Sequence, residues 1–323
     1  MNTEALTLQQ RLTDPDATVR RLAVMALPYG DEDDMVSLLL PALGDSDALV
    51  RIEAIRGLEG IEDLHVVQAL APMLLDTDPA VRKVAGEVLS ELKDTASAEP
   101  LLPLLGAGAP EVRALAFHAV RALRSPQAFA PAMAALRDAD AAVRREAVGV
   151  LGYLKDPAAI GELAEVAAND PEVEVRRIAV GALGYASSVS VLPALTRALN
   201  DRGWMVREEA AQVIGKLRLA LAIPDLVAAM QDDYWQVRVK AARSLGLLKA
   251  EAGLPSLVES LTHSISNLRK EAVIALGEIG DTRAIAPLEG ALSDADPDVR
   301  KLARLALTSI GLAQKAHGPG APT

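Results

Sequence analysis

A chain of 323 residues with no cysteine cannot build a disulfide framework, a thiol nucleophile or a thiolate metal site. Its formal net charge of −11 opposes general attraction to phosphate backbones, so nucleic acid is not an expected partner. Half of the residues are hydrophobic but only 2% are aromatic, so the core must come from Ala, Leu, Val and Ile.

In chain order, one motif recurs from end to end. An apolar residue, usually valine, stands at Val19, Val50, Val81, Val112, Val143, Val175, Val206, Val237, Leu268 and Val299, spaced by 31 residues except for a step of 32 between Val143 and Val175. Each is followed directly by arginine, and each has alanine four places later, as in Arg300 and Ala303. Seven places earlier comes another apolar position, from Leu12 through Leu43, Leu74 and Leu105 to Leu292. A fixed period of this length is the signature of stacked supersecondary units, each burying its face against its neighbours. In the last unit, 284–292 has helical spacing, Asp296 suits an N-cap and Pro297 a first helical position, and Gly311 favours termination. Gly30, Gly60 and Gly280 read as similar stops.

The expectation is an all-α solenoid of about ten two-helix repeats over residues 1–312, about twenty helices and no strand, followed by a disordered tail at 313–323. The acidic run Asp31–Asp34 reads as a solvated loop. The extra residue near 169–174 predicts a bulged turn, and the fourth and ninth repeats depart at Gly106–Pro110 and His263–Leu268. Residues 1–7 lack the charged and apolar regions of a signal peptide, and no apolar run approaches the roughly 18 residues of a membrane-spanning helix. A cytoplasmic monomer is the expectation.

The pattern D-x-D-x-x-V-R-x-x-A-x-x-A-L-G resembles the short bacterial HEAT repeats found in phycobilisome lyases, from about residue 4 to 312. That resemblance implies an α-solenoid whose second helices line the concave face, and most proteins of this kind act as adaptors. It also supplies an alternative: a lyase-like factor that binds a bilin and attaches or detaches it on a partner's cysteine, with Trp204, Trp235 and Arg177 or Arg207 as its groove. No cofactor is otherwise implied.

Aspartate lies five before the valine position in eight repeats, at Asp14, Asp45, Asp76, Asp138, Asp170, Asp201, Asp232 and Asp294. With Arg20, Arg51, Arg82, Arg144, Arg176, Arg207, Arg238 and Arg300 it predicts a structural ladder along the turns, because a guanidinium can bond a carboxylate and a turn carbonyl together. Ala107 and His263 replace the aspartate in the other two repeats, which predicts less constrained arginines at Arg113 and Arg269.

The candidate binding residues are few. Trp204 and Trp235 occupy the same place in consecutive repeats, two before the valine, with Tyr234 beside the second. Small residues fill that place elsewhere, so two tryptophans there suggest a hot spot on a rim for another protein. Tyr153 and Tyr185 form a second consecutive pair, ten after the valine. Arg145 and Arg177, on the expected concave face, are candidates for an acidic partner surface. His65, His118, His263 and His317 lack carboxylates at metal-ligand spacing, no phosphate-binding loop or nucleophile motif is present, and His118 reads as a plain surface histidine. The expected function is protein binding without catalysis.

Overall fold

The computed structural model describes residues 7–27, 32–186 and 189–316. Gly30 and the segment from 317 onward lie outside them. Nineteen α-helices and ten short 3₁₀ segments run through the described residues, which contain no strand. The repeats are α1 (Leu8–Leu12) with α2 (Ala17–Met25), α3 (Glu32–Ala42) with α4 (Ala48–Gly57), and α5 (Leu64–Leu70) with α6 (Pro79–Ser90). In the fourth, the 3₁₀ segments Thr95–Ala98 and Leu102–Gly106 precede α7 (Pro110–Arg121). Then follow α8 (Phe129–Ala135) with α9 (Ala141–Leu154), α10 (Ile160–Asn169) with α11 (Val173–Ala182), and α12 (Leu192–Ala198) with α13 (Trp204–Lys216). The last three pairs are α14 (Ile223–Ala229) with α15 (Trp235–Leu247), α16 (Leu254–Ser260) with α17 (Ser266–Ile279), and α18 (Ile285–Ala291) with α19 (Pro297–Ala316).

These repeats divide into two compact units, 1–154 and 155–323. Within each, the core follows the repeat. The alanine four after the valine position is completely buried in all ten repeats, and from the second repeat on the valine position is at most 4% exposed. Large side chains are excluded there because helices packed on alanine approach to roughly 8–10 Å between axes. Within each unit, each second helix lies on the second helix of the next repeat, while successive first helices meet more sparsely. In the second unit this close approach goes down to the backbone: a Cβ added to Gly246 would lie 2.8 Å from the Ala275 Cα, and one on Gly277 would lie 3.0 Å from the Ala306 Cα. Gly215, Gly246 and Gly277 stand one repeat apart for that reason.

Several local expectations are corrected. The extra residue near 169–174 does not bulge the turn. It lengthens α10, whose C-cap Asp170 N–H reaches Val166 in an α-type bond, where Asp232 N–H closes on Ala229 one residue tighter. The acidic run near the N-terminus is not all loop, because α3 starts at Glu32. Gly311 does not stop α19, which continues to Ala316. Gly60 and Gly280 do adopt positive φ, 80° and 77°, and Gly280 caps α17. The first helix of the fourth repeat is entirely 3₁₀, since Pro100 and Pro103 remove N–H donors that an α-helix would use.

Candidate partner-binding surface

The turn edge of the stack is organised by arginine. Each spine arginine follows the apolar valine position on its helix, so it leaves the core at the turn, and seven of them reach into the next repeat. Six of them, Arg20, Arg51, Arg113, Arg176, Arg207 and Arg269, donate through Nε and Nη2 to both carboxylate oxygens of Asp45, Asp76, Asp138, Asp201, Asp232 and Asp294, at 2.6–2.9 Å. Nη1 bonds a carbonyl of its own turn, as Arg176 does with Asp170 O at 2.9 Å. The aspartate also closes its turn by accepting the N–H two residues on, as Asp201 does from Gly203 at 2.7 Å. The rungs therefore run forward, from one repeat's arginine to the following repeat's aspartate. That direction corrects the expectation for Arg113 and Arg269, which hold Asp138 and Asp294 as full forks. The arginines that lose an aspartate are Arg82 and Arg238, one repeat earlier. Asp14 stands before the first rung, with its own turn bond to Asp16 N–H at 2.8 Å, and Arg300 holds Asp294 O at 2.7 Å. Arg144 and Asp170 are both engaged in interactions of their own.

The aromatic edge sits on this spine in the second unit. Trp204 opens α13 and Tyr234 is the N-cap residue of α15. Their rings stack at 5.5 Å between centroids and 13° between planes, so the neighbour of Trp204 is Tyr234 and not Trp235. Arg207 lies over the other partner's ring, 5.7 Å from the Tyr234 centroid, while its fork holds Asp232. Tyr234 keeps 45% of its surface exposed, and both tryptophans are half-buried. The stack is rigid, amphipathic and open on one side. Beside it a notch of about 450 Å³ is lined by Asp201, Asp225, Asp232, Asp233 and Arg207 among others. Four carboxylates around one committed arginine suit a tetrapyrrole's two propionates poorly.

Tyr153 and Tyr185 fall in different units. Tyr153, 43% exposed, lies in the first unit with the guanidiniums of Arg121 and Arg124 at 5.8 and 5.9 Å from its ring. Tyr185 donates its hydroxyl to Asp156 O at 2.8 Å in the second, and burial raises its pKa.

On the second-helix face, charges are largely self-paired. Arg145 is not free: it donates to Glu146 at 2.9 Å. Glu146 is only 6% exposed and also accepts from Arg121 at 3.1 Å, with His118 Nδ1 at 3.1 Å. Burial pushes the Glu146 carboxyl up, but the hydrogen bonds from His118 and Arg145 outweigh it and hold the group below its ordinary value. His118, itself partly exposed, is therefore committed to a buried glutamate and is not a plain surface histidine. The sequence signal for this cluster was three basic residues at 118, 121 and 145 around one acid, visible only once neighbouring helices are superposed. In the second unit Arg177 bonds Glu174 at 2.6 Å and lies 3.7 Å from Glu209. Burial lifts the carboxyls of Glu209 and Glu271 above their ordinary value. Among the described residues no three metal-ligating side chains converge, and no helix is long and apolar enough to cross a membrane.

Two-helix repeats joined by a forward arginine–aspartate spine define an α-solenoid. Residues 5–90, 38–121, 98–172, 162–239 and 223–308 match the family of HEAT repeats, and the chain belongs to that family. Similar solved structures include an engineered protein (TM-score 0.51, 22% identity, 94% of this chain and 98% of that one) and YibA of E. coli (0.53, 19%, 96% and 99%). Kap95p, in a structure concerned with RanGDP, is similar with a TM-score of 0.66 and 15% identity over 94% of this chain, which spans about half of Kap95p (49%). A Kap95:Nup1 complex gives 0.64 and 14% over 96% and 51%. These likenesses concern the fold. No curated protein matches the sequence.

Proposed function

We propose that the chain is a non-catalytic scaffold that binds another protein along the aromatic edge of its seventh and eighth repeats, aided by its second-helix face, in the cytoplasm. The observation that carries this reading is the Trp204–Tyr234 stack with Arg207 over it, in which Tyr234 is 45% exposed and Trp204 stands at a place where eight of the ten repeats carry only small residues, proline or valine. Aromatic and arginine side chains held rigid by their own neighbours lose little entropy on binding, which is what hot spots require. Kap95p, of like fold, is known in structures with RanGDP and Nup1, which is consistent with protein partners for this architecture. Arg145 and Arg177 are placed second, because each is already neutralised by an acid.

The test is affinity capture from the native lysate beside two variants, Trp204→Ala/Tyr234→Ala and Arg145→Glu/Arg177→Glu, followed by affinity measurement on the captured protein. Removing the aromatic stack is expected to weaken binding by at least about thirtyfold, the scale of a hot spot. Full retention by that variant with loss by the charge reversal moves the interface to the second-helix face. Retention by both overturns the site.

A further inference from the structure

Among the spine arginines that are followed by another repeat, one has lost its carboxylate without a replacement. At Arg82 the next repeat offers Ala107 in place of aspartate, and Glu111, one before the valine position, makes good the loss by accepting from Arg82 Nη2 at 2.7 Å. At Arg238 the next repeat offers His263, and the residue in the place of Glu111 is Asn267. His263 takes over the aspartate's turn-closing role: its Nδ1 accepts from Ile265 N–H at 3.1 Å. It brings no negative charge. Arg238 turns its Nε to Asp232 O instead, and neither Nη1 nor Nη2 has an acceptor among the described residues. The guanidinium borders a groove of about 320 Å³ shared with Gln231, Glu259, Thr262, His263 and Ser264.

We propose that this groove receives the carboxylate of an aspartate or glutamate side chain presented by a partner protein, which completes the open rung at Arg238. A guanidinium recognises a carboxylate through two parallel hydrogen bonds, and the six complete rungs show that this spine favours that geometry. Glu259, the acid already in the groove, accepts from Gln231 Nε2 at 3.2 Å and forms no ion pair with Arg238, so the fork stays open. The position also fits the aromatic edge, since Tyr234 caps the helix that carries Arg238 one turn later. Only the source of the carboxylate rests on the protein-binding reading; the chemistry of the groove stands on its own residues.

The test follows arginine Nε–H resonances of ¹⁵N-labelled protein, with the Arg238 signal assigned by its loss in Arg238→Gln. The probes are blocked Gly-Asp-Gly and Gly-Asn-Gly peptides and acetate, each at constant ionic strength. The aspartyl peptide is expected to shift the Arg238 signal saturably and the asparaginyl peptide to leave it in place. His263→Asp, which installs the majority residue of the repeat, should raise the thermal midpoint and weaken the peptide response about tenfold or more, because an internal carboxylate then occupies the fork. Trp204→Ala should leave the response intact, so failure of the aromatic edge and failure of this groove are separately visible. Equal responses to the two peptides, or an undiminished response in His263→Asp, overturn the proposal. A response to acetate alone overturns the protein side chain as the source.

Discussion

Arg176 and Asp201 are the most enclosed pair of the spine, with side chains 3% and 11% exposed. Such a pair holds its place because most of its bonding capacity is used: Arg176 donates four hydrogen bonds, to both Asp201 oxygens and two turn carbonyls, and Asp201 accepts from Arg176 and the Gly203 N–H. Removing one partner leaves a largely buried charge without its counter-charge. Asp201→Ala is therefore expected to cost about 3–5 kcal/mol in thermal or urea unfolding. Asp14→Ala removes an aspartate that no preceding arginine holds, and should cost about 1 kcal/mol or less. Equal losses for the two would show that the turn bond and not the arginine fork carries the stability. That each arginine follows a valine is plain in the sequence; that it reaches forward is not, because a typical arginine has an aspartate 6 residues behind it in its own repeat as well as one 25 residues ahead in the next, and the nearer one looks like the natural partner. The same ambiguity hid Arg238, whose missing partner lies 25 residues ahead.

The corner between one repeat's second helix and the next repeat's first is the element-scale problem. Six of the described corners take a left-handed residue, found as φ 80° at Gly60, 52° at Arg124, 57° at Lys155, 53° at Arg218, 49° at Lys249 and 77° at Gly280. Only glycine adopts that region without a Cβ penalty, so the four basic residues carry a cost that Gly280 avoids. Lys249→Gly is expected to raise stability by about 0.5–1 kcal/mol, read as a higher urea midpoint with unchanged slope. A fall would mean that the lysine's side chain makes up for its backbone. Boundaries of this kind escaped the sequence reading because Gly60 and Gly280 announce their corners, whereas an arginine or lysine in the same conformation looks like any helical residue. The lengthened α10 is a similar case: one inserted residue has two outlets, a wider turn or a longer helix, and the helix gains a hydrogen bond by taking it.

At the scale of the molecule the spine is also a pH device. Hydrogen bonds from Arg20 and Arg269 hold Asp45 and Asp294 below the ordinary aspartate range, and Asp76, Asp138, Asp201 and Asp232 are lowered too, burial being outweighed by arginine and turn N–H bonds. A carboxyl lowered by folding adds stability that is present above its unfolded value, roughly 3.9, and is lost as pH falls through the lower folded value. Glu209 and Glu271 act in the opposite sense: raised by burial, they contribute below the unfolded glutamate value and lose that contribution as pH rises through the folded one. With Glu146, Asp281 and Asp296 also lowered, nine lowered carboxyls stand against two raised ones, so the thermal midpoint should hold near neutrality and fall below about pH 4. Asp45→Asn/Asp294→Asn should lose less between pH 5 and pH 3 than the wild type, and an unchanged slope would remove the spine as the cause.

The sequence by itself determined the repeat: ten units, two helices each, a valine–alanine core and an arginine at every turn, because a packed periodic core leaves a periodic pattern of small and apolar side chains. It also singled out the aromatic residues by their scarcity. Only the tertiary structure decided which ring meets which, that Trp204 stacks on Tyr234, that His118 and Arg145 converge on a buried Glu146, and that Arg238 is left without an acid. Those outcomes depend on the offset between neighbouring repeats, and the periodicity of one chain fixes the spacing of its repeats but not the direction in which a side chain crosses from one to the next.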